Sequence, residues 1–335
     1  MNDKEFHRFP LVGRQRVNHN TEVLSFDMAL PTPTTPFPLG KHVSFRGLLH
    51  NKPVVRSYTP TLFEDHAPGM RFLIKMYPEG QMSTILRDLK VGETLEAMGP
   101  IGHANFPNLR DFREIVFVAG GTGITPIYPM IVNLLSEKER VGSMTLLYAN
   151  NCLDDILLLD KLRDLGSVHK QFRVHHILKE APLSSNNLSI ETGFCTKEII
   201  KKYTSPQSLI MICGPPKMED FVVEQLKVLG PGFDKYFTFT KAALTVEHKT
   251  VLDSVNLHKY FKMSEVEKHN KESDCWTVIE DKVYDMTKFI DEHPGGYIIL
   301  DGAGKDATEL FNVEFVHSAD ARKELDRLQI GLLEK

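Results

Sequence analysis

The chain of 335 residues is 41% hydrophobic and 25% charged with a formal net charge of −4. That balance is ordinary for a globular protein and gives no support to a nucleic-acid ligand, which calls for a basic domain. Length alone allows about two or three domains. Four cysteines, Cys152, Cys195, Cys213 and Cys275, stand far apart with no CxxC pair. They indicate neither a disulfide framework nor a zinc site, and a reducing compartment is the default expectation.

The N-terminal stretch is polar and charged, with no apolar core of a signal peptide, so the expected location is cytoplasmic. Asn2 stands where N-myristoylation needs a glycine, and the C-terminal residues offer no prenyl cysteine. Residues 1–112 read as β-rich. Alternating segments at 17–26, 41–46 and 71–77 are broken by proline clusters, which predicts a small barrel or sandwich. Two pieces inside it combine polar and small residues, Arg56-Ser57-Tyr58-Thr59-Pro60 and Lys75-Met76-Tyr77-Pro78-Glu79-Gly80-Gln81-Met82-Ser83. Taken alone, each reads most simply as a strand edge.

From residue 113 the pattern changes. Strands at 115–119, 145–149, 172–178 and 209–213 alternate with helices at 127–140, 155–165 and 196–203, which predicts a parallel sheet covered by helices. Residues 115–136 carry no charged side chain and have the length of a membrane helix. Three glycines and two prolines inside that window fit strand, turn and helix instead. In it, Ala119-Gly120-Gly121-Thr122-Gly123-Ile124-Thr125-Pro126 brings a glycine turn to a helix start, with Thr125 as the expected cap and Pro126 in the first turn. Strand, glycine turn and helix N-terminus together suit a diphosphate. Cys213-Gly214-Pro215-Pro216 ends the last strand at the carboxyl edge, where such sheets bind ligands, and a helix at 219–229 closes at Gly230.

Residues 240–256 read as a linker. After it, Ser264 and Glu267 form an expected capping box. Residues 257–335 hold 17 acids and 11 bases, net −6, against 27 acids and 29 bases, net +2, in residues 1–256. Two histidines, His293 and His317, lie in apolar surroundings in this acidic part, the first within His293-Pro294-Gly295-Gly296. Neutral imidazole is a strong axial ligand for haem iron, and the lack of CxxCH means that any haem is held non-covalently.

The run Cys275-Trp276-Thr277-Val278, Val283-Tyr284-Asp285, Thr287-Lys288-Phe289, HPGG, Gly304-Lys305-Asp306-Ala307-Thr308 and His317-Ser318 resembles the cytochrome b5 family. The resemblance implies His293 and His317 as iron ligands and Phe289 and Phe311 against a b-type haem. In one respect the chain departs from the family pattern: the GKDAT segment stands one residue closer to His293 and Phe311 one residue further from His317, two offsets that cancel between the histidines.

Residues 1–239 similarly resemble the NADH–cytochrome b5 reductase branch of the ferredoxin-reductase family, through Arg56-Ser57-Tyr58-Thr59, Gly80-Gln81-Met82-Ser83, the glycine turn and the CGPP segment. The resemblance implies FAD and NADH as cofactors. It places Arg56 and Gly80, Gln81, Met82 and Ser83 on the FAD diphosphate. Tyr58 and Thr59 fall at the flavin ring, with Lys75 and Tyr77 near flavin and nucleotide. Gly120, Gly121, Thr122, Gly123, Thr125 and Pro126 fall on the NADH diphosphate, and Cys213, Gly214 and Pro215 at the nicotinamide. Asp155 comes near the adenine ribose, where a carboxylate accepts from a 2′-hydroxyl and repels a 2′-phosphate. Thr59 and Cys213 are the residues expected nearest the chemistry.

The expected architecture is therefore multidomain. An FAD-binding antiparallel β-barrel (1–112) is followed by an NADH-binding α/β domain (113–239), the linker and a small α+β haem domain (257–335). The expected activity passes electrons from NADH through FAD to haem. The outside acceptor is expected to be a redox protein or a membrane-associated oxidase or desaturase, with no transmembrane segment in the chain itself. Alternatives are the electron-input module of a nitrate-reductase-like system and a haem-based redox sensor.

Overall fold

The computed structural model describes residues 5–28, 37–61, 69–102, 107–136, 142–180, 188–239, 259–290, 293, 295–314, 322, 325 and 327–334. His317 and residues 240–256 lie outside the described residues.

Six strands, β1 (His7–Arg16), β2 (Thr21–Phe26), β3 (Lys41–Leu49), β4 (Lys52–Tyr58), β5 (Met70–Lys75) and β6 (Thr94–Gly102), form an antiparallel sheet in the order β4-β3-β6-β1-β2-β5. Phe45 on β3 meets Phe26 on β2 and Phe72 on β5 at ring-centroid distances of 5.0 and 4.8 Å. Strands so far apart in the sheet touch only because it curls round on itself as a barrel. The segment expected as one strand over 17–26 is a hairpin turn followed by β2, since Val17 N donates back to the Thr21 carbonyl at 2.9 Å. Helix α1 (Gln81–Asp88), which the sequence pattern did not reveal, begins immediately after Gly80.

The second sheet is parallel. Strands β7 (Glu114–Gly120), β8 (Ser143–Asn150), β9 (Phe172–Leu178), β10 (Ile190–Thr192), β11 (Leu209–Cys213) and β12 (Tyr236–Thr238) take the order β10-β9-β8-β7-β11-β12. Helices α2 (Ile124–Ser136), α3 (Leu159–Val168), α4 (Lys197–Tyr203) and α5 (Pro216–Leu229) connect them. β7 is buried along nearly its whole length, as its continuous apolar run requires in a sheet covered on both faces. The uncharged window is thus strand, turn and helix, and no helix among the described residues is long and apolar enough to cross a membrane. Helix α5 closes at Gly230, which takes φ +84° as an L side chain rarely would. Val23 and Leu73 of the barrel belong to the same apolar cluster as Phe117 and Ile127, so the first two sheets share a core.

Two local expectations are corrected. Helix α2 starts at Ile124, out of a 3₁₀ turn over Gly121–Gly123, so Thr125 lies inside it and donates its hydroxyl to the Thr122 carbonyl at 3.0 Å. Asp155 lies not at a helix start but in a separate 3₁₀ turn, Leu153–Asp155, ahead of α3.

In the third part, β13 (Tyr260–Phe261), β14 (Asn270–Lys271), β15 (Asp274–Ile279), β16 (Lys282–Asp285) and β17 (Gln329–Leu333) form a small mixed sheet ordered β13-β17-β16-β15-β14. The short helix α6 (Met263–Val266) is capped by Lys262 backbone, and Ser264 sits inside it with no capping role. Beyond the sheet, a 3₁₀ helix Gly296–Gly302 and a π-helix Leu310–Glu314 carry the apolar residues between the two histidine motifs.

Candidate functional site

The barrel motif is assembled across two elements. Arg56 leaves β4 with its guanidinium exposed, donating to the Val55 carbonyl at 2.7 Å and to Gln81 Oε1 at 3.3 Å. It therefore stands at the N-terminus of α1, where the backbone N–H groups of the first turn have no partner inside the helix and the dipole favours an anion. Gly80 is the N-cap and brings no side-chain cap of its own. A Cβ there would stand 2.7 Å from Ser83 Oγ and 3.1 Å from Tyr77 Cβ. Ser83 Oγ is engaged from the other side, accepting from Tyr77 N at 3.1 Å. Gln81 is half-buried, Met82 anchors the helix in the barrel core, and Tyr77 is exposed.

At the end of β4, Tyr58 lies against Phe45 at a centroid distance of 5.2 Å. Burial pushes its phenol well above the ordinary value despite the opposing Arg56 charge, so it stays neutral. Ser57 precedes it and half-buried Thr59 follows at the strand's exit.

The glycine turn and the CGPP segment lie side by side because β7 and β11 are adjacent parallel strands with Ala119 opposite Cys213. Both chains leave the sheet at its carboxyl edge. A Cβ at Gly123 would run into the Cys213 carbonyl, and one at Gly120 into the Met218 sulfur. Gly121 differs: it takes φ +52° and has open space where its Cβ would be. The turn thus packs tightly on one side and leaves room on the other. Thr122 is half-buried, and Thr125 and Pro126 are buried in the first turn of α2.

Tyr148 on β8, not singled out in the sequence, buttresses this turn. Its hydroxyl donates to the Gly121 carbonyl at 3.0 Å and accepts from Leu157 N at 3.3 Å. Glu219, also unforeseen, is buried in the first turn of α5 and accepts from Gly214 N at 3.1 Å. Burial, with the Glu219 carboxylate beside it, drives the Cys213 thiol far up, so it stays protonated. Pro215, exposed, is the N-cap residue of α5. A helix-start acid and a strand aromatic are common enough that neither carried a signal in the sequence.

Asp155 and Lys75 join the barrel to the second sheet. Lys75 Nζ lies 2.8 Å from Asp155 Oδ1, the same oxygen accepts from Asn20 Nδ2 at 3.4 Å, and His19 Nε2 is 3.7 Å away. Burial alone would raise the Asp155 pKa. The bonded ammonium outweighs it and holds the carboxyl below its ordinary value. Asn18 adds a second tie, donating to the Asp154 carbonyl at 2.9 Å. Asp155 is 5% exposed, so its carboxylate faces this bridge more than solvent.

In the third part, His293 Nδ1 stands 3.0 Å from the Gly296 carbonyl. A carbonyl only accepts, so that bond makes Nδ1 the protonated nitrogen and Nε2 the one that carries the lone pair, the tautomer a metal-ligating imidazole needs. Phe289 lies 5.8 Å from it between ring centroids, and Phe311, Tyr297 and Leu300 pack on the same apolar cluster as Ile290. An apolar wall and an oriented imidazole fit a haem on this side. The π-helix Leu310–Glu314 contains Phe311.

Comparison with known proteins agrees with this division. The oxidoreductase FAD-binding domain model matches residues 8–106, the oxidoreductase NAD-binding domain model 117–224, and the cytochrome b5-like heme/steroid binding domain model 262–334. The NADH-cytochrome b5 reductase 1 of Lodderomyces elongisporus is 36% identical over 236 residues, which are 69% of this chain and 76% of that protein. Among solved structures, the cytochrome b5 reductase domain of Ulva prolifera nitrate reductase superposes with a TM-score of 0.58 at 25% identity, over 71% of this chain and 98% of that one. The CS-b5R domains of human Ncb5or share the fold, with a TM-score of 0.59 at 23% identity over 70% of this chain and 69% of theirs.

Proposed function

The chain belongs to the NADH–cytochrome b5 reductase family, and from that premise we propose that it passes electrons from NADH through FAD to a bis-histidine b-type haem in the same chain, and on to an outside acceptor. The acceptor proposed is a redox protein or a membrane-associated oxidase or desaturase, reached from the cytoplasm. Bound FAD supplies two-electron chemistry toward NADH and one-electron chemistry toward haem. The protein's share is to bind, orient and exclude water, and no acid–base pair or nucleophile is needed.

Each site residue has a role in this reading. Arg56 grips the FAD diphosphate beside the first turn of α1, where Gly80, Gln81, Met82 and Ser83 present backbone N–H groups. Neutral Tyr58 covers the flavin, with Ser57 beside it, and the Thr59 hydroxyl hydrogen-bonds its reactive edge. Gly120, Gly121, Thr122 and Gly123 with the start of α2 at Thr125 and Pro126 hold the NADH diphosphate. Cys213, Gly214 and Pro215 receive the nicotinamide. Lys75 and Tyr77 line the nucleotide path, and Asp155 selects against a 2′-phosphate by its charge. His293 and His317 bind the iron, with Phe289 and Phe311 against the haem. Domain limits of 1–112, 113–239 and 257–335, joined by residues 240–256, accompany the reading.

One observation supports it above the others: the open side of the Gly121 turn and the Cys213 strand end share one sheet edge, and the Lys75–Asp155 bridge fastens that sheet to the barrel. Protein purified after haem supply is expected to hold one FAD and one six-coordinate b-type haem per chain. His293→Ala should abolish the haem spectrum and leave NADH-dependent reduction of a small artificial acceptor intact. A flavin-only spectrum in the parent, or loss of flavin activity in the variant while FAD stays bound, sinks the proposal. Rapid NADH-driven turnover with a soluble haem acceptor separates it from a slow redox sensor.

A further inference from the structure

Two apolar side chains of the barrel are buried for a reason the barrel does not supply. Met98 and Ile101 on β6 are 1% and 4% exposed. Neither belongs to the barrel core, which takes Leu95 and Ala97 from the same strand. The covering element comes from the third part of the chain. A Cβ on Gly296 would stand 2.5 Å from Met98 Cε and 2.8 Å from Ile101 Cδ1, so the glycine backbone is in direct contact with both. Gly296 takes φ +60° and its carbonyl accepts from His293 Nδ1 at 3.0 Å. The turn that orients the iron-ligating imidazole is therefore the turn seated on β6.

Strand register places that seat close to the flavin motif. Met98 is opposite Ser44 on β3, and Ser44 is opposite Ser57 on β4. Two strand spacings separate Met98 from Ser57, roughly 10 Å between backbones. Ser57 lies between Arg56 and Tyr58. The seat thus puts one hydrogen bond between the His293 imidazole and a surface two strands from the Arg56-Ser57-Tyr58 segment. A side chain at position 296 would hold the two parts off, and glycine lets backbone meet side chain directly.

We propose that Met98 and Ile101 form the docking surface on which this chain's own haem domain sits to receive electrons, with the Gly295-Gly296 turn as the contacting element. The proposal rests on the flavohaem reading above. NADH supplies the electron pair; each passage oxidises the flavin by one electron and reduces the iron from ferric to ferrous, with no atom transferred. Because electron transfer falls exponentially with distance, a contact at this turn sets the rate without altering either cofactor site.

The test uses the full chain loaded with both cofactors. Methionine oxidises where peroxide reaches its sulfur, and peptide mass spectrometry reads this without any turnover. In the parent, Met98 should oxidise at least tenfold more slowly than half-buried Met76. Ile101→Lys, which places a charge in the contact, should raise Met98 oxidation at least tenfold. It should also slow NADH-driven haem reduction at least tenfold, with flavin reduction unchanged. Ile101→Ser, a milder opening, should move both readouts the same way by about threefold, and serves if the lysine variant does not fold. Unchanged Met98 oxidation and unchanged haem reduction in a variant with full FAD and haem overturn the docking surface. A parent whose haem is never reduced by NADH overturns the flavohaem reading itself, and this surface falls with it as an electron-transfer contact.

Discussion

Asp155 has a second consequence at the scale of a single residue, because it is at once a coenzyme selector in the proposed function and half of a buried ion pair. Replacing it with threonine removes the repulsion toward a 2′-phosphate but leaves Lys75, whose side chain is 15% exposed, without its carboxylate. Removing one partner of a buried pair typically costs about 3–5 kcal/mol, and the partial exposure of Lys75 reduces this. Asp155→Thr is therefore expected to lower kcat/KM for NADH while the NADH:NADPH preference narrows about tenfold, equivalent to ~1.4 kcal/mol of discrimination. Steady-state kinetics with both coenzymes checks it. An equal fall for both, with the ratio unmoved, would make Asp155 an interdomain strut and nothing else. The acid itself was legible in the sequence through the family pattern of Asp154-Asp155-Ile156-Leu157-Leu158. Its bond to Lys75, 80 positions away in the chain, was not, because pairing across two sheets has no local periodicity. Tyr148 and Glu219 escaped for a different reason: their bonds stay within the second sheet and its helices, but a strand aromatic and a helix-start acid carry no signal of their own.

Among elements, the parallel sheet was the most legible, since continuous apolar runs such as 115–119 occur where both faces are covered. The ends of elements were less so. Helix α2 begins one residue before the expected cap, because the 3₁₀ turn Gly121–Gly123 runs directly into it, with Ile124 already in the right-handed helical region. Helix α1 escaped because its single buried stripe, Met82, Ser83 and Leu86, is too short to establish a period. The capping box at Ser264 failed because α6 is only four residues long and takes its cap from Lys262 backbone. The glycine turn shows why element geometry matters to function. A methyl group at position 123 meets the Cys213 carbonyl and Gly214 Cα, both backbone, so neither can rotate away. Overpacking of this kind costs about 1–3 kcal/mol and has to be relieved by separating the β7 turn from the β11 end. Gly123→Ala is expected to raise the KM for NADH on the order of tenfold while FAD stays bound, since α1 and Arg56 lie on another sheet. Coenzyme titration beside flavin absorbance measures both. An unchanged KM would show that the spacing of the two strand ends does not govern coenzyme binding.

At the scale of the whole molecule, the order of the domains bears on how electrons reach the haem. Strand β12, Tyr236–Thr238, closes the edge of the parallel sheet, and the next described residue after Phe239 is Lys259. Whatever path the 20 steps between them take, they span at most about 70 Å when fully extended. Confining one haem domain to a sphere of that radius gives an effective concentration on the order of a millimolar, far above that of a dilute free partner. Charge adds to the encounter. Residues 257–335 carry net −6 against net +2 for residues 1–256, an attraction that salt screens over about 10 Å at 0.1 M. Covalent attachment and opposite charge therefore both favour transfer within one chain. Haem reduction after rapid mixing with saturating NADH is expected to be first-order, with a rate constant unchanged over a hundredfold range of protein concentration. Raising the salt from 0.05 to 0.5 M should slow it only a few-fold, because the tether persists when the attraction is screened. A rate constant proportional to protein concentration would mean that the haem of one molecule is served by the flavin of another, and the covalent order of the domains would then have no kinetic consequence.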